Sequence, residues 1–219
     1  SFVMLTAISN LFGVGGASAL SRALGRRDPE AAGRIAAFSF WGGLASALIF
    51  SLLFFALARP VLTLCGATGD TYDTAFGYAM WVVVIGGPAT ILGTLLANLV
   101  RAEGSAASAS AGLSLGGILN LILDPFFVLP QFLGLGAAGA GMATALSNLA
   151  AVLYFLIYIR RKRGQTVLRA GISILPEAAR HAKEILFTGF PSAVQYALTV
   201  VAVAAQSRFV SLYTTEAMA

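Results

Sequence analysis

Long apolar stretches recur along this chain, and they constrain its fold more than any other feature. A bilayer core about 30 Å thick takes about 20 apolar residues in helical form. Stretches of that length occur six times, and Asp124 is the only charged residue within any of them. Only 11% of residues are charged, whereas a soluble domain carries charge on about a quarter. The sequence predicts an all-α membrane protein, a six-span transmembrane helical bundle over residues 1–21, 35–58, 74–100, 105–129, 137–159 and 185–207.

The basic residues predict how the spans are oriented. All but two of the 14 lysines and arginines lie in the first, third and fifth connections between spans. Lysine and arginine are retained on the cytoplasmic side during insertion, so these connections are predicted to be cytoplasmic. The net charge of +5 is therefore explained by topology. Membrane lipids are the expected surroundings, and no nucleic-acid partner is expected.

The ends of the chain and its cysteine content add two expectations. The first span begins at the first residue and only about a dozen residues follow the last one. We therefore expect a fragment of a longer protein. The single cysteine, Cys65, excludes a disulfide or a thiolate metal cage within the chain.

Local signals refine the helices. Asp28 followed by Pro29 predicts a helix start, with a short helix leading into the second span. Pro88, after two glycines, predicts a bend near the middle of the third span. Small residues at four-residue spacing, such as Gly112 and Gly116, favour close helix packing.

Two connections carry signals of their own. The connection over 59–73 holds several glycines and aspartates and is predicted to be an external, turn-rich loop. In the fifth connection, charged and apolar residues alternate at helical spacing from Pro176 onwards. This pattern predicts an interfacial helix on the cytoplasmic surface.

Asp124 is the first residue to consider for chemistry, because a carboxylate within a membrane span is unfavourable and usually faces a partner or an aqueous cavity. Asn120 lies one helical turn earlier, on the same face. Pro125 follows directly and leaves the carbonyl of Leu121 without its helical donor. These hard oxygen ligands suit Na⁺, and the carboxylate alone suits a proton. The alternative is a side chain that extends to the outer membrane interface.

Polar residues on later spans extend this hypothesis. Thr144 and Asn148, one turn apart on the fifth span, are expected at a depth comparable to that of Asp124, although such residues are more often packing partners. Gln195 and Tyr196 on the sixth span, together with Asn148, are candidates for lining a substrate cavity, with packing as the alternative for Gln195.

Sequence signals for an enzyme are missing. There is no zinc-ligand spacing, no nucleophile elbow and no pair of catalytic carboxylates. The glycine-rich runs follow no predicted strand, which excludes a nucleotide fingerprint. We expect no enzymatic activity, no cofactor and no metal beyond a possible Na⁺ at Asp124.

Six segments of the chain resemble, in the same order, segments of MATE (multidrug and toxic compound extrusion) transporters, notably the DinF-like branch. Two of them read Asn98-Leu-Val-Arg-Ala-Glu-Gly104 and Asn120-Leu-Ile-Leu-Asp-Pro125. Together the segments cover residues 13–32, 64–69, 98–104, 120–125, 134–144 and 189–195. No single segment is specific, but their common order identifies the chain as a member of this family.

The resemblance implies a fold and a function. The six spans would be helices two to seven of a twelve-helix transporter, so residues 1–219 would form part of its amino-terminal lobe and the carboxyl-terminal lobe would be its partner. Such transporters export organic cationic or amphiphilic compounds across the inner (plasma) membrane by H⁺ or Na⁺ antiport with alternating access. In several members Asn, Asp and Thr residues matching Asn120, Asp124 and Thr144 bind the cation.

The alternative function is a flippase of lipid-linked oligosaccharide or polysaccharide precursors, which has a related fold. Such a carrier is expected to have a strongly basic cavity for the pyrophosphate. Near the outer half of the spans the only basic residues are Arg59, in a loop, and Arg208, at a span end. A non-transporting membrane scaffold is disfavoured by Asp124.

Overall fold

Helices form almost all of the described chain. The structure, a computed structural model, describes residues 2–64, 69–168, 177 and 179–213. Its α-helices are α1 (Phe2–Gly25), α2 (Pro29–Ala56), α3 (Ala58–Leu64), α4 (Gly69–Ala79), α5 (Gly87–Ala102), α6 (Ala106–Val128), α7 (Gly136–Arg161) and α8 (Ala182–Tyr213). A π-helix (Met80–Ile85) joins α4 to α5, and a 3-10 helix (Ala179–His181) precedes α8. The predicted all-helical fold is confirmed for these residues.

The number of membrane crossings is confirmed only in part. Within the described ranges, α2, α6 and α7 are each long and apolar enough to cross a membrane. A fourth crossing is added if the bent pair Tyr72–Ile85 and Gly87–Ala102 forms one span. The structure thus supports three or four crossings, and the count of six stays a prediction.

Helix α2 begins where the sequence predicts, but it is not divided into a short leading helix and a separate membrane span. The Asp28 carboxylate accepts a hydrogen bond from the backbone N–H of Ala31 (2.9 Å), and Pro29 occupies the first helical position. The predicted short leading helix is wrong, because one continuous helix runs from Pro29 to Ala56. The residues after Pro29, Glu-Ala-Ala-Gly-Arg-Ile-Ala-Ala, favour a helix apart from the single glycine, so nothing ends the first turns.

The bend predicted in the third span is confirmed. The helices on either side of Gly86 meet at 44°. The N–H of Gly86 donates to the carbonyl of Trp81 (2.8 Å), five residues back, which is the π-helical pattern. Pro88 has no N–H to donate, so the regular α-helical ladder cannot continue through this point.

The loop predicted over 59–73 is wrong in part, because helices α3 and α4 occupy most of it. Gly69, Asp70 and Asp73 lie within α4. An aspartate in the first turn of a helix is favoured by the helix dipole, so the same residue types that form turns also start helices. The predictions for Cys65 and Gly66 lie outside the described residues.

The predicted interfacial helix of the fifth connection also lies largely outside the described residues. Of its described part, Glu177 pairs with Arg34 of α2 (3.0 Å). Ala179–His181 forms a 3-10 helix that runs directly into α8.

The first, third and fifth connections lie together at one end of the bundle. Arg22, near the end of α1, pairs with Glu184 at the start of α8 (3.2 Å). Glu103, after α5, accepts hydrogen bonds from the backbone N–H of Val167 (2.6 Å) and the hydroxyl of Thr166 (2.7 Å). An exposed ion pair such as Arg22–Glu184 contributes about 0–1 kcal/mol. These contacts show that the three basic connections lie at the same end of the bundle, as the predicted topology requires.

Helix α1 is the centre of the packing, in contact with α2, α5 and α8. Its closest approach is to α8, at Gly15 and Gly189. A methyl group on Gly189 would lie 2.7 Å from the carbonyl carbon of Leu11, and one on Gly15 would lie 3.0 Å from the backbone nitrogen of Gly189. Backbone atoms cannot move aside as a side chain can, so glycine is required at both positions.

Helices α6 and α7 pack in a similar way, and the close packing predicted for Gly112 and Gly116 is confirmed. A methyl group on Gly112 would lie 2.7 Å from ring atoms of both Phe155 and Tyr154, and one on Gly116 would lie 3.3 Å from the methyl group of Ala151. The two glycines hold the α6 backbone close to α7, which places the polar residues of the two helices within reach of one another.

The packing of α1 on α8 predicts the effect of a single methyl group. We expect Gly189→Ala to lower the free energy of unfolding by about 1–3 kcal/mol, because the added group meets the Leu11 backbone. The matched control is Gly117→Ala on α6, where the added methyl group would have no neighbouring atom of another described helix within 4 Å. This variant should be neutral or stabilising by up to about 1 kcal/mol. Unfolding midpoints in detergent micelles, followed by circular dichroism, measure both. Equal midpoints for the two variants would contradict this packing.

Candidate cation site

Helix α6 carries Asn120 and Asp124 one turn apart, and both are half-buried. The backbone around them is unusual for a membrane helix, because Pro125 lies inside α6. Having no N–H, Pro125 leaves the carbonyl of Leu121 without its helical donor. The helix nevertheless continues to Val128. This stretch therefore presents a carboxylate, an amide and a carbonyl oxygen within about one turn.

Asn120 and Thr144 meet across the contact between α6 and α7. The side-chain N–H₂ of Asn120 donates to Oγ1 of Thr144 (3.4 Å), while the Thr144 hydroxyl donates to the carbonyl of Ala140 on its own helix (2.9 Å). This arrangement uses the nitrogen side of the Asn120 amide and leaves its carbonyl oxygen as an acceptor. Two of the three predicted ligands are thus brought together.

Asp124 has an unmatched oxygen. Its Oδ1 is buried and makes no hydrogen bond within the described part of the chain. The side chain lines an open cleft of about 380 Å³, together with Leu121, Pro125, Val128 and Ala140. An ionised carboxylate with a buried, unpaired oxygen is unfavourable within a membrane span. A proton or a bound cation would remove that penalty, and the open cleft gives either of them access.

Asn148 forms its side-chain hydrogen bond with α5, away from the Asn120, Asp124 and Thr144 group. Its side-chain N–H₂ donates to Oγ1 of Thr90 on α5 (2.8 Å), and the Thr90 hydroxyl donates to the carbonyl of Gly86 (2.9 Å) at the helix break. The next threonine on α5, Thr94, bonds only to a carbonyl of its own helix. A polar connection therefore runs from α7, one turn beyond Thr144, to the bend in α5.

Thr90 was missed by the sequence reasoning. The available signal was its position four residues after Gly86, since a threonine hydroxyl commonly bonds the carbonyl four residues back. Nothing in the sequence links it to Asn148, because their contact joins two helices 58 residues apart.

Gln195 and Tyr196 lie on α8, which packs mainly on α1. Both side chains are exposed, Tyr196 at 38%. The structure does not bring them to the Asn120, Asp124 and Thr144 group within the described residues. Their predicted role in a substrate cavity therefore concerns a different surface of the bundle.

Comparison with known proteins gives one family. Residues 1–126 match the MatE family. The multidrug export protein MepA of Staphylococcus aureus is 31% identical over 191 residues, which are 87% of this chain and 41% of that protein. MepA of Staphylococcus saprophyticus has the same identity and coverage. The chain thus spans about 41% of the length of these curated relatives.

Solved structures give the same result. An inward-facing multidrug resistance MATE family transporter of the MOP superfamily superimposes with a TM-score of 0.81, at 28% identity, over 89% of this chain and 43% of that one. An outward-facing structure gives a TM-score of 0.83 at 28% identity, over 92% of this chain and 44% of that one. A MOP superfamily transporter from Pyrococcus furiosus, described as having a binding pocket of reverse polarity, gives the same values.

The contact between Asn148 and Thr90 predicts an energetic coupling. We expect a double-mutant cycle of Asn148→Ala and Thr90→Val to give a coupling free energy of about 0.5–1.5 kcal/mol, the range for hydrogen bonds between membrane helices. The measurement is unfolding in mixed micelles for the wild type, both single variants and the double variant.

The matched control is the cycle of Asn148→Ala with Thr94→Val, because Thr94 bonds only within its own helix. That cycle should be additive. Additivity in the Thr90 cycle as well would mean that the contact between α5 and α7 contributes nothing specific.

Proposed function

The chain belongs to the MatE family of transporters, and from this premise we propose that it forms the amino-terminal half of a cation-coupled exporter of drug-like organic cations or amphiphiles. In this proposal its six helical passes are helices two to seven of a twelve-helix protein in the cell inner membrane. Its relatives are multidrug export proteins rather than enzymes. The carboxyl-terminal lobe would complete the substrate path.

The observation that carries the proposal is the unpaired Oδ1 of Asp124, the only charged residue of helix α6. The residue is half-buried, and one of its oxygens is inaccessible, which argues against a side chain that merely extends to the membrane interface. The cleft beside it is open. A proton or Na⁺ entering that cleft would meet the carboxylate first.

The neighbouring groups fit a small hard cation. The Asp124 carboxylate would supply the negative charge, and the free carbonyl oxygen of Asn120 lies one turn away on the same helix. The hydroxyl oxygen of Thr144 is within 3.4 Å of the Asn120 amide and would be a third oxygen donor. Oxygen donors with a single carboxylate suit Na⁺ or, at the carboxylate alone, H⁺.

Coupling to export would follow from reciprocal linkage. If the cation binds more tightly to one conformation of the transporter and the substrate binds more tightly to the other, each displaces the other by the same free energy. The fold of this chain is similar to both an inward-facing and an outward-facing transporter. That similarity supports a half that keeps its internal packing while it moves relative to the other half.

The alternative flippase receives less support. A pyrophosphate carrier needs cations along its cavity, but the basic side chains resolved within the described residues are at helix ends or in connections, and Arg22 and Arg34 are paired with glutamates. Along the apolar lengths of α2, α6 and α7, Asp124 is the only charge. A single carboxylate attracts a cation rather than a pyrophosphate.

The proposal predicts the outcome of removing the Asp124 charge. In the complete transporter we expect Asp124→Asn to abolish gradient-driven efflux while folded protein remains near wild-type amounts, since a neutral amide is easier to bury than a carboxylate. Asn120→Ala should slow efflux less, through loss of one neutral ligand. Efflux of a fluorescent organic cation from energised vesicles, under separate H⁺ and Na⁺ gradients, is the measurement.

The matched control is Asp73→Asn, the same chemical change at an exposed position of α4. It should transport like the wild type. Wild-type efflux from Asp124→Asn would make this carboxylate structural, and the coupling site would then have to lie in another part of the transporter.

A further inference from the structure

An apolar groove lies between α2 and α7, where both helices pack against α5. Its floor is formed by Leu96 and Leu99 of α5, and its sides include Phe40 of α2 and Leu156 of α7. The groove is shallow, with an enclosed space of about 40 Å³. Leu156 is 39% exposed, so the groove is open along this side. Its lining contains almost no polar surface.

The connection after α7 closes one end of this groove. Leu168 lines the groove and is buried. It is held there because the Glu103 carboxylate accepts hydrogen bonds from Val167 and Thr166, and the N–H of Leu168 donates to the hydroxyl of Thr166 (3.1 Å). The closed end is the one at which the basic connections gather.

A run of four basic residues lies in the chain between two residues that line the groove, Ile159 and Leu168. The run, Arg-Arg-Lys-Arg at residues 160–163 and called here the basic segment, follows Ile159, which also lines the groove. The chain then turns back towards Leu168, with the N–H groups of Gln165 and Thr166 donating to the carbonyl of Lys162 (2.9 and 3.1 Å).

The charges of the basic segment are unneutralised. All four side chains are exposed, and none forms an ion pair with a carboxylate in the described part of the chain. This distinguishes them from Arg22 and Arg34 at the same end of the bundle, which are paired. Lys162 lies over the Tyr158 ring (5.6 Å), so part of the segment is directed back along α7.

We propose that the groove and the basic segment together bind one anionic phospholipid of the cytoplasmic leaflet, with an acyl chain in the groove and the headgroup phosphate on the basic segment. An acyl chain is the apolar ligand available at this depth in a bilayer. Arginine and lysine clusters at the cytoplasmic end of membrane helices attract anionic headgroups, and guanidinium groups bind phosphate oxygens in pairs. The site is separate from Asp124 and does not depend on transport.

Native mass spectrometry of the full chain in a neutral detergent tests the proposal. The probes are phosphatidylglycerol and phosphatidylcholine with identical acyl chains, so that only the headgroup differs. We expect one tightly retained phosphatidylglycerol, bound at least about tenfold more tightly than phosphatidylcholine. Neutralising the four charges of the basic segment should abolish this preference. The variant is R160Q/R161Q/K162Q/R163Q.

A matched control removes the same number of charges from other positions at the same end of the bundle. The control residues, which are Arg26, Arg27, Arg180 and Lys183, are exposed and, like the basic segment, form no ion pair within the described ranges. The control should keep the preference within about twofold; it is R26Q/R27Q/R180Q/K183Q. Equal loss in the control, or no preference in the wild type, would overturn the proposal, because the basic segment would then act only as general surface charge.

The groove is tested separately with Leu156→Trp, which narrows its open side at an exposed position. We expect it to weaken retention of both lipids by a similar factor, with the headgroup preference unchanged. Glycerol 3-phosphate, which has the charge but no acyl chain, should not displace the lipid at equal concentration. Unchanged retention in Leu156→Trp, or full displacement by glycerol 3-phosphate, would show that the groove takes no acyl chain.

Discussion

The backbone contact between α1 and α8 at Gly15 and Gly189 is the constraint on which the rest of the bundle depends. It joins the two ends of the described chain, and it allows α1 to contact α2 and α5 on its remaining sides. Apolar side chains gain little by leaving lipid for a protein interior, so membrane helices are held by close van der Waals contact and by hydrogen bonds between them. A side chain at either glycine would separate α8 from α1 and would displace the connection that pairs Glu184 with Arg22.

The same rule explains where the polar groups of the bundle are placed. Most of the buried polar side chains described within the helices have a partner: Ser9 bonds the carbonyl of Ile91, and Ser51 bonds that of Val83. The half-buried Asn148 bonds Thr90. Asp124 and Ser39 are the side chains with a buried oxygen that makes no hydrogen bond among the described residues. An unpaired hydroxyl costs far less than an unpaired carboxylate. Among the described residues, the strongest unsatisfied electrostatic demand is therefore at Asp124.

The parts of this structure that follow from local chemistry could be predicted from the sequence. The helical character of the chain, the cap at Asp28 and the bend near Pro88 each depend on residues close in sequence, and the structure confirms all three for the described residues. The helices within 59–73 were not predicted, because glycine and aspartate serve both turns and helix starts. Likewise, Asn120 and Asp124 could be paired from their spacing on one helix. The contact between Asn148 and Thr90 could not, since it depends on how two distant helices pack.

The central claim is that Asp124 holds the cation that the substrate displaces. Its most direct test is the release of protons when substrate binds, measured with a pH-indicator dye in weakly buffered, Na⁺-free detergent solution of the complete transporter, with ethidium as the substrate. Reciprocal linkage predicts about one proton released per bound ethidium, and no release from the Asp124→Asn variant with ethidium bound. Equal release from both proteins, or none from the wild type, would contradict the account.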